Sequence, residues 1–420
     1  MFITSVVVKA WNKPIGLLEL INGKIYFEYS DNNKINFSPL KLKDMKETYE
    51  FSHLAFQNTL PGLIHDYLPG IYGTAYMDMF FTKHNKDIPT TLERLLFIGD
   101  NSLGALSFEP MDKIDPKIES IMDIKEFYKN SKNALNGIGP IQMSTIIAIS
   151  NSAGGGARAK AIVGYNPKNH KIYIGHKNQE LPEGFIHSII KFDEKNLART
   201  NILKDEWIEN SVHNKTEYAY YKMALLLDIN ISKSYLTQSE DGFHFITQRF
   251  DRDKEGRLYH MHSLSGLFHH NPAETTFGYE NLFRVGRHLN IPHEDHIQIY
   301  KVLVFNLVFG NRDDHTRNFS FLMDEEGRWR FAPAYDLTFS LNRSHQMLIN
   351  YINANAITKK QLIAFGKDNG IKDAKEIIEQ TIEIKEQHLR DLLIELDTPS
   401  SWIEYLYEKS SKIQNNLKGE

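Results

Sequence analysis

The stretch that decides the fold is Asn-Arg-Asp-Asp-His-Thr-Arg-Asn, residues 311–318. Before it, residues 296–310 (HIQIYKVLVFNLVFG) are apolar on nearly every helical face, which predicts a buried helix ending at a Gly-Asn stop signal. After it, residues 319–323 and 328–332 flank Asp-Glu-Glu-Gly, which predicts a β-hairpin. The sequence therefore predicts a polar loop held between a buried helix and a hairpin.

This loop carries the side chains that phosphoryl transfer requires. The reaction needs a carboxylate to orient the attacking hydroxyl and an amide oxygen to hold magnesium, and kinases space the two as Asp-x-x-x-x-Asn. Asp313 and Asn318 have this spacing, and Asp336, after the hairpin, is the predicted metal-binding carboxylate. Asp and Asn also populate ordinary turns. The order of helix, polar loop, hairpin and further aspartate favours the catalytic interpretation.

A glycine-rich segment lies upstream, at residues 152–161. Successive glycines let backbone N–H groups converge on phosphate oxygens, although the segment lacks the pattern of a P-loop and a flexible hairpin tip is the alternative. Lys191 ends a predicted strand, where its ammonium would reach phosphates, and Glu217 on the following predicted helix could pair with it. Each residue also has a simpler interpretation. Lys191 could be a solvated lysine at the edge of a sheet, and Glu217 could be favoured early in a helix by the helix dipole.

The order of predicted elements divides the chain into three parts. Residues 1–110 predict a β-rich subdomain with short helices, and residues 256–420 a helical lobe with the polar loop. Two amphipathic helices are predicted near 359–365 and 372–396, towards the end of this lobe. Residues 111–255 predict a kinase-like small lobe, in the order strand, glycine turn, strand, strand, helix, strand. The predicted strands include 160–165, 171–174 and 185–192, and the helix spans 216–227. We therefore predict an α+β, protein-kinase-like, two-lobed fold with an added β-rich N-terminal subdomain and an all-α C-terminal lobe.

Composition and charge disfavour several classes of protein. The 420 residues carry a net charge of -4 and no cysteine. A chain without basic excess is disfavoured as a direct nucleic-acid binder, and without cysteine it has no disulfide, thiolate zinc site or cysteine nucleophile. No apolar run approaches the roughly 20 residues of a membrane helix, and the amino terminus predicts a strand, not a signal peptide. We expect a cytoplasmic protein with no membrane partner.

Four histidines suggest a metal site, which we reject. They are His260, His262, His269 and His270. Their spacing matches no zinc signature and no cysteine is available, so we expect them to be surface or hydrogen-bonded residues.

Taken together, the motifs resemble the HipA-type toxin kinases of bacterial toxin-antitoxin modules, over most of the chain. They are Leu-Pro-Gly at 60–62 and 68–70, Gly-Asp-Asn-Ser-Leu-Gly-Ala-Leu at 99–106, Gly-Gly-Ala-Arg-Ala-Lys-Ala at 155–161, Gln-Arg-Phe-Asp-Arg at 248–252, Asp313-x-His315-x-x-Asn318 and Tyr335-Asp336. The resemblance implies the HipA, phosphoinositide-kinase-like version of the predicted fold.

The resemblance also implies an ATP- and Mg2+-dependent serine/threonine protein kinase. Asp313 would be the catalytic base, while Asn318 and Asp336 would hold magnesium. The residues implied around the nucleotide come from the glycine loop, the strand lysine, the hinge and the polar loop: Ala153, Gly154, Gly155, Gly156, Ala157, Arg158, Lys191, Gln248, Arg249, Phe250, His315, Arg317, Asn318, Tyr335 and Asp336. The sequence departs from the family at Gln248, where Glu is common, and at Ala159, where Pro is common.

The family further implies autophosphorylation, here on Ser152 or Ser150. A phosphoserine would add nearly two negative charges beside the ATP phosphates, or pull the loop outward, and either effect would switch the enzyme off. The usual partner is a HipB-like helix-turn-helix antitoxin, so that DNA is contacted only indirectly. Family substrates are cellular proteins that include an aminoacyl-tRNA synthetase, the glutamyl-tRNA synthetase, and their phosphorylation causes growth arrest and persistence.

Two alternatives stay open. A small-molecule phosphotransferase of the aminoglycoside or choline class shares Asp-x-x-x-x-Asn but usually has His two residues before the Asp, where this chain has Asn311 and places His315 after it. A non-catalytic co-repressor subunit is the other, and the presence of Asp313, Asn318 and Asp336 argues against it.

Overall fold

The structure, a computed structural model, describes residues 3–110, 120–135, 160–175, 180–193, 205–239, 242–341 and 344–419. Its N-terminal part is a five-stranded antiparallel sheet in the order β4-β3-β2-β1-β5. The strands are β1 (Ser5–Ala10), β2 (Lys13–Ile21), β3 (Lys24–Tyr29), β4 (Thr48–Glu50) and β5 (Leu106–Glu109). An Asn-Gly turn joins β2 to β3, and both Asn22 and Gly23 have the positive φ that such a two-residue turn requires.

Three short helices, α1 (Gly62–His65), α2 (Ile71–Lys83) and α3 (Thr91–Ile98), lie between β4 and β5. The two Leu-Pro-Gly segments lead into α1 and α2, as expected for turns between short helices. Thr90 and Glu93 form a reciprocal capping box that begins α3.

A six-stranded antiparallel sheet follows, in the order β10-β11-β9-β7-β8-β6. Its strands are β6 (Ser120–Asp123), β7 (Lys160–Asn166), β8 (Lys171–Ile174), β9 (Ile186–Lys191), β10 (Ser234–Ser239) and β11 (Gly242–Gln248). Its helices are α4 (Ile124–Leu135), α5 (Asp205–Glu209) and α6 (Val212–Leu226). The predicted strands at 160–165 and 171–174, and the helix carrying Glu217, are present, whereas β6, α4 and β10 were not predicted.

The C-terminal lobe is organised around one buried helix. Helices α7 (Leu264–Phe268), α8 (Glu280–His288) and α9 (His293–Phe309) come first. From Ile299 to Phe309 nearly every side chain of α9 is buried, which confirms the helix predicted from its continuous apolar character. Gly310, with a φ of 71°, ends α9 in the left-handed conformation that a helix C-terminus favours.

The lobe is not wholly helical, which corrects the expectation of an all-α lobe. Strands β12 (His260–Ser263), β13 (Ser320–Met323) and β14 (Trp329–Phe331) form a sheet, and β15 (Leu348–Ile349) pairs with β16 (Ile352–Asn353). The predicted hairpin at 319–332 is confirmed as β13 and β14. It extends into a third strand because β12 covers the open edge of β13.

Four further helices complete the lobe. They are α10 (Lys359–Asp368), α11 (Ala374–Ile384), α12 (Arg390–Glu395) and α13 (Ser400–Lys418), with a π-turn at Lys385–Leu389 between α11 and α12. The single helix predicted over 372–396 is therefore broken, and α13 was not predicted. Among the described residues, no helix has both the length and the apolar character needed to cross a bilayer.

The N-terminal part is fastened to the C-terminal lobe by buried polar contacts. Asp66, after α1, accepts hydrogen bonds from the ring of His262 and from both the backbone N–H and the hydroxyl of Ser263, at 2.6–2.8 Å. Burial alone would raise the pKa of Asp66, but these hydrogen bonds lower it to about 2. Beside them Gly62 lies so close to Gly266 that a Cβ on Gly62 would come within 2.1 Å of the Gly266 oxygen. Backbone therefore packs on backbone at this contact.

Two of the four histidines lie in this interface. His260 is fully buried, with its Nδ1 3.0 Å from the Tyr67 hydroxyl and its Nε2 3.1 Å from the carbonyl of Phe37. Because a carbonyl only accepts, Nε2 carries the proton and Tyr67 donates to Nδ1. His262 bridges Asp66 and Ser38. These rings are hydrogen-bonded elements of the domain contact.

Candidate active site

The buried lysine at the end of β9 is the centre of the candidate site. Lys191 forms ion pairs with Glu217 of α6 and with Asp336, and its ammonium lies 5.7 Å from the ring centroid of Phe245. The side chains of Lys191 and Glu217 are 7% and 4% exposed, and that of Asp336 is 33% exposed. The small sheet, its helix and the segment after the β13–β14 hairpin thus converge on one ammonium group.

The polar loop that follows α9 places Asp313 and Asn318 together. The side-chain amide nitrogen of Asn318 donates to the backbone carbonyl of Asp313 at 2.8 Å. This contact fixes the amide plane and leaves the oxygen as the atom of Asn318 suited to a cation. Gln346 donates from its side-chain nitrogen to Asp313 Oδ1 at 2.8 Å, and His315 Nε2 lies 3.8 Å from the same oxygen.

The next residue in the loop, Asp314, has the opposite environment. It is 1% exposed and accepts three hydrogen bonds, from the hydroxyl of Tyr279, from Nδ1 of His345 and from the backbone N–H of Gln346, at 2.7–3.0 Å. The two adjacent aspartates of the motif therefore differ in environment. Asp313 is half-buried, whereas Asp314 is buried and anchors the loop from beneath.

The end of α9 supports the loop through amide contacts. Asn306 donates to Tyr279 at 3.1 Å and accepts from Asn311 at 2.9 Å, while Asn311 also donates to the backbone carbonyl of Asp336 at 3.5 Å. These contacts tie the loop to the segment that carries Asp336. A small cavity lies between the two segments, and its lining includes Asn311, Asp314, Asn318 and Tyr335.

Tyr335 and Asp336 are held in a defined conformation. The hydroxyl of Tyr335 is 2.7 Å from both the Ser320 hydroxyl and the backbone carbonyl of Arg317, and its ring centroid is 5.5 Å from that of Phe250. Burial raises the pKa of Tyr335, so its proton stays on the hydroxyl. Asp336 has a φ of 54°, in the left-handed region that few side chains adopt.

The predicted hinge runs from β11 towards the N-terminal part of the molecule. The backbone N–H of Gln248 donates to Lys233 and that of Arg249 donates to His187, both at 2.9 Å. The side chain of Arg249 is buried in an ion pair with Asp251, which also accepts from the backbone N–H of Gly104. Burial opposes ionisation of Asp251, but Arg249 and Arg252 hold its pKa well below the usual range.

Arg317 also reaches the N-terminal part. Its guanidinium lies 3.4 Å from Nδ1 of His65, a buried residue of α1. Burial and the charge of Arg317 lower the pKa of His65 to about 4, so the ring is neutral and accepts this contact. The side chains of Arg249 and Arg317, both predicted to lie at the nucleotide, thus contact the N-terminal part.

The structure brings together one group of predicted residues. This group consists of Lys191, Glu217, Asp313, His315, Asn318, Tyr335 and Asp336. The phosphate-loop residues and the predicted autophosphorylation sites, residues 150–158, lie outside the described residues. The sequence did not single out Asp314, Gln346 or His65 as site residues. Of these three, Asp314 could have been found, because the motif itself contains two adjacent aspartates.

The donor set fits magnesium that is bound together with a nucleotide. Asn318 and Asp336 supply an amide oxygen and a carboxylate, hard donors of the kind Mg2+ takes alongside waters and substrate phosphates. No cluster of three or more His, Asp or Glu side chains with metal-binding geometry occurs within the described ranges.

Comparisons with known proteins agree with this architecture. A family model described as the HipA N-terminal domain matches residues 6–109, and one described as the HipA-like C-terminal domain matches residues 152–389. The fold also matches that of a chain in the solved Shewanella oneidensis toxin-antitoxin complex of HipA, HipB and operator DNA. The TM-score is 0.67 at 15% identity, and the match covers 98% of this chain and 96% of that chain. The kinase-like fold is thereby confirmed.

Two curated relatives are similar over a shorter stretch. A Haemophilus influenzae protein named "Putative kinase" is 26% identical over 159 residues, 34% of this chain and 46% of that protein. A Sinorhizobium fredii protein named "Putative kinase Y4mE" is 26% identical over 154 residues, 33% of this chain and 36% of that protein. The match spans less than half the length of each relative. Because the model of the HipA-like C-terminal domain alone covers more than half of the sequence, the chain belongs to the HipA family.

Proposed function

We propose that this protein is an ATP- and magnesium-dependent serine/threonine protein kinase of the HipA type. The observation that carries the proposal is the convergence of Lys191, Glu217 and Asp336, which are distant in sequence, beside a loop in which Asn318 is bonded to Asp313. A lysine paired with a helical glutamate, a hydroxyl-orienting aspartate and a metal-binding Asn and Asp are the parts that kinases use.

Each residue has a distinct role in the proposed reaction. Asp313 accepts a hydrogen bond from the substrate hydroxyl, orients it for attack on the γ-phosphorus, and takes its proton as the new O–P bond forms and the bond to ADP breaks. Lys191, oriented by Glu217, neutralises phosphate charge. Asn318 and Asp336 would hold magnesium, which supplies charge neutralisation at the phosphates when bound.

The finer parts of the proposal come from the family. We propose autophosphorylation at Ser152 or Ser150, a protein substrate such as an aminoacyl-tRNA synthetase, a cytoplasmic location and a HipB-like antitoxin partner. The solved complex of HipA, HipB and operator DNA from Shewanella oneidensis supports the antitoxin proposal. We propose that this protein contacts DNA only through such a partner.

The test is transfer of label from ATP to protein. Purified wild-type protein and an Asp313→Asn variant are incubated with magnesium and γ-labelled ATP, alone and with a bacterial lysate. We expect label on a serine or threonine of the protein itself, or of a lysate protein, and a loss of at least about 100-fold in the variant, since general-base assistance contributes about that much or more.

The other outcomes separate the alternatives. Asp313-dependent ATP turnover without labelled protein, but with a labelled small molecule, would favour a small-molecule phosphotransferase. Nucleotide binding without turnover in either protein would favour a non-catalytic co-repressor subunit.

A further inference from the structure

We infer that Gln346 is a positioning residue for the phosphoryl transfer proposed above, on which the inference rests. Its side-chain amide holds Oδ1 of Asp313 so that the carboxylate is presented to the hydroxyl that is phosphorylated. Asp314, buried beneath the loop, fixes the backbone from which Gln346 reaches.

The contact is specific in geometry and chemistry. The Gln346 side-chain nitrogen donates to Asp313 Oδ1 at 2.8 Å across 33 residues of sequence, and Gln346 is half-buried. An amide is a neutral donor, so it restrains the carboxylate without neutralising the charge that draws the hydroxyl proton. An ionised carboxylate has about four lone-pair sites, of which the amide of Gln346 occupies one.

The backbone of Gln346 is fixed independently of its side chain. Its N–H donates to Asp314 Oδ1 at 2.7 Å, while the ring of the preceding His345 binds Asp314 Oδ2 at 2.9 Å. Asp314 and His345 are 1% and 4% exposed. Two successive residues are therefore held by both oxygens of one buried carboxylate.

The other side of the segment is fastened to the lobe. Met347 is 1% exposed, and the backbone of Leu348 exchanges hydrogen bonds of 2.9 Å with Phe277 and Tyr279. Tyr279 in turn donates to Asp314. The two polar groups of Gln346, backbone N–H and side-chain amide, thus bind two adjacent aspartates, of which one anchors and the other reacts. This arrangement restrains the orientation of the Asp313 carboxylate.

The experiment measures autophosphorylation of the full chain with magnesium and γ-labelled ATP over a range of ATP concentrations. Gln346→Leu removes the donor and keeps the approximate volume, and Gln346→Glu keeps the shape but places a carboxylate against Asp313. Gln387→Leu, the same change at an exposed position of the π-turn, is the matched control. The backbone contact to Asp314 is kept in every variant, and thermal melting checks the fold.

We expect the maximal rate of Gln346→Leu to fall about 10-fold to 100-fold, because a misplacement of about 1 Å can cost 100-fold. The rate of Gln346→Glu should fall at least as far. The ATP concentration for half-maximal rate should stay within about 2-fold, since the proposed nucleotide contacts do not include Gln346. A merely structural defect would also lower melting temperature and ATP affinity.

Three results would overturn the inference while leaving the kinase proposal intact: an unchanged rate in Gln346→Leu, a faster rate, or a change confined to the ATP requirement. A faster rate would mean that the amide blocks the carboxylate. Wild-type protein that labels neither itself nor a lysate protein would overturn the proposed function, and this inference with it.

Discussion

At the scale of single residues, the ion pairs of Lys191 have both a structural and a chemical consequence. Glu217 is almost fully buried, so its carboxylate depends on the lysine for compensation, whereas Asp336 is partly exposed and can exchange partners. Removing one member of a buried pair leaves an uncompensated charge, which costs more than replacing both members by apolar groups. The loss of activity expected on changing Lys191 is therefore mixed with a loss of stability.

A double substitution separates these two effects. We expect Lys191→Met to lower the free energy of unfolding by about 3–5 kcal/mol, and Lys191→Met with Glu217→Leu to recover much of that loss, with both proteins inactive. Urea unfolding measures the stabilities. Arg390→Met, which breaks an exposed pair with Glu404, is the control and should cost no more than about 1 kcal/mol. A double variant as unstable as the single one would contradict the charge explanation.

Residues that share a local pattern could be predicted, and those joined only by the path of the chain could not. Asp313 and Asn318 lie within one loop, and the structure contains the Lys191–Glu217 pair that the order of strand and helix predicts. Gln346 follows Asp336 in a segment without periodicity. Its contact with Asp313 depends on Asp314 and Tyr279, which no local pattern connects to it.

At the scale of elements, the buried lysine of the π-turn holds the end of α9. Lys385 is fully buried and its ammonium donates to the carbonyl of Val308, to the Ser410 hydroxyl and to the Gln414 side chain, at 2.7–3.1 Å. A cation at the last carbonyls of a helix also complements its dipole. Since α9 leads into the loop with Asp313, this contact helps to fix the point at which the loop begins.

The stability supplied by Lys385 depends on pH. Burial lowers its pKa from 10.5 in the unfolded chain to about 7, so the folded state gives up the proton first. The cost of burying the charge is therefore present below pH 7 and disappears as pH rises towards 10.5. We expect Lys385→Met to be less stable than wild type by about 1–3 kcal/mol at pH 9, because the buried acceptors lose the two N–H donors that the neutral amine still supplies, and by less at pH 6.5.

Chemical denaturation at the two pH values measures this difference. Lys412→Met, an exposed change on α13, is the control and should show no such dependence. A Lys385→Met deficit that is larger at pH 6.5 than at pH 9 would contradict the stated sign.

The same lysine explains two errors in the predicted helices. The π-turn places both Lys385 and Leu389 inside, which the apolar period of one continuous helix does not reveal. Helix α13 buries Trp402, Leu406, Ile413 and Leu417 at helical spacing, but the stripe also contains Ser410 and Gln414, which bind Lys385. Polar residues at buried positions interrupted the apolar pattern by which a helix is predicted.

At the scale of the whole molecule, the N-terminal part contacts both the hinge and the polar loop. Gly104 binds Asp251 beside the hinge, His65 contacts Arg317 of the loop, and Asp66 and Tyr67 bind β12. The fold class could be predicted because each part has its own strand and helix patterns. The docking could not, because it depends on buried polar pairs between distant segments.

This interface should weaken in mild acid. Burial lowers the pKa of His65 to about 4 and of His260 to about 3, whereas an unfolded histidine titrates near 6.5. The unfolded state therefore binds more protons, and stability present above pH 6.5 is lost as pH falls towards 4. Each histidine contributes on the order of 1.4 kcal/mol per pH unit in this window.

Urea unfolding at pH 7.5 and pH 5 tests this expectation. His260→Gln, which keeps a donor and an acceptor but cannot become charged, should show a smaller loss of stability on acidification than wild type. His388→Gln, at an exposed position, should behave as wild type. If all three proteins lost the same stability on acidification, the loss would come from groups other than His260.

The left-handed backbone at Asp336 determines which substitution can test its charge. Asparagine and glycine tolerate a positive φ, whereas most other side chains adopt it at a cost of about 1–2 kcal/mol. Asp336→Ala would therefore change backbone preference and charge together, and a metal-binding defect in it would have two explanations. Asp336→Asn removes the charge and keeps the bend, so it measures how much of the site depends on the carboxylate. Comparing Asp336→Gly, which keeps the bend, with Asp336→Ala, which disfavours it, measures how much depends on the bend.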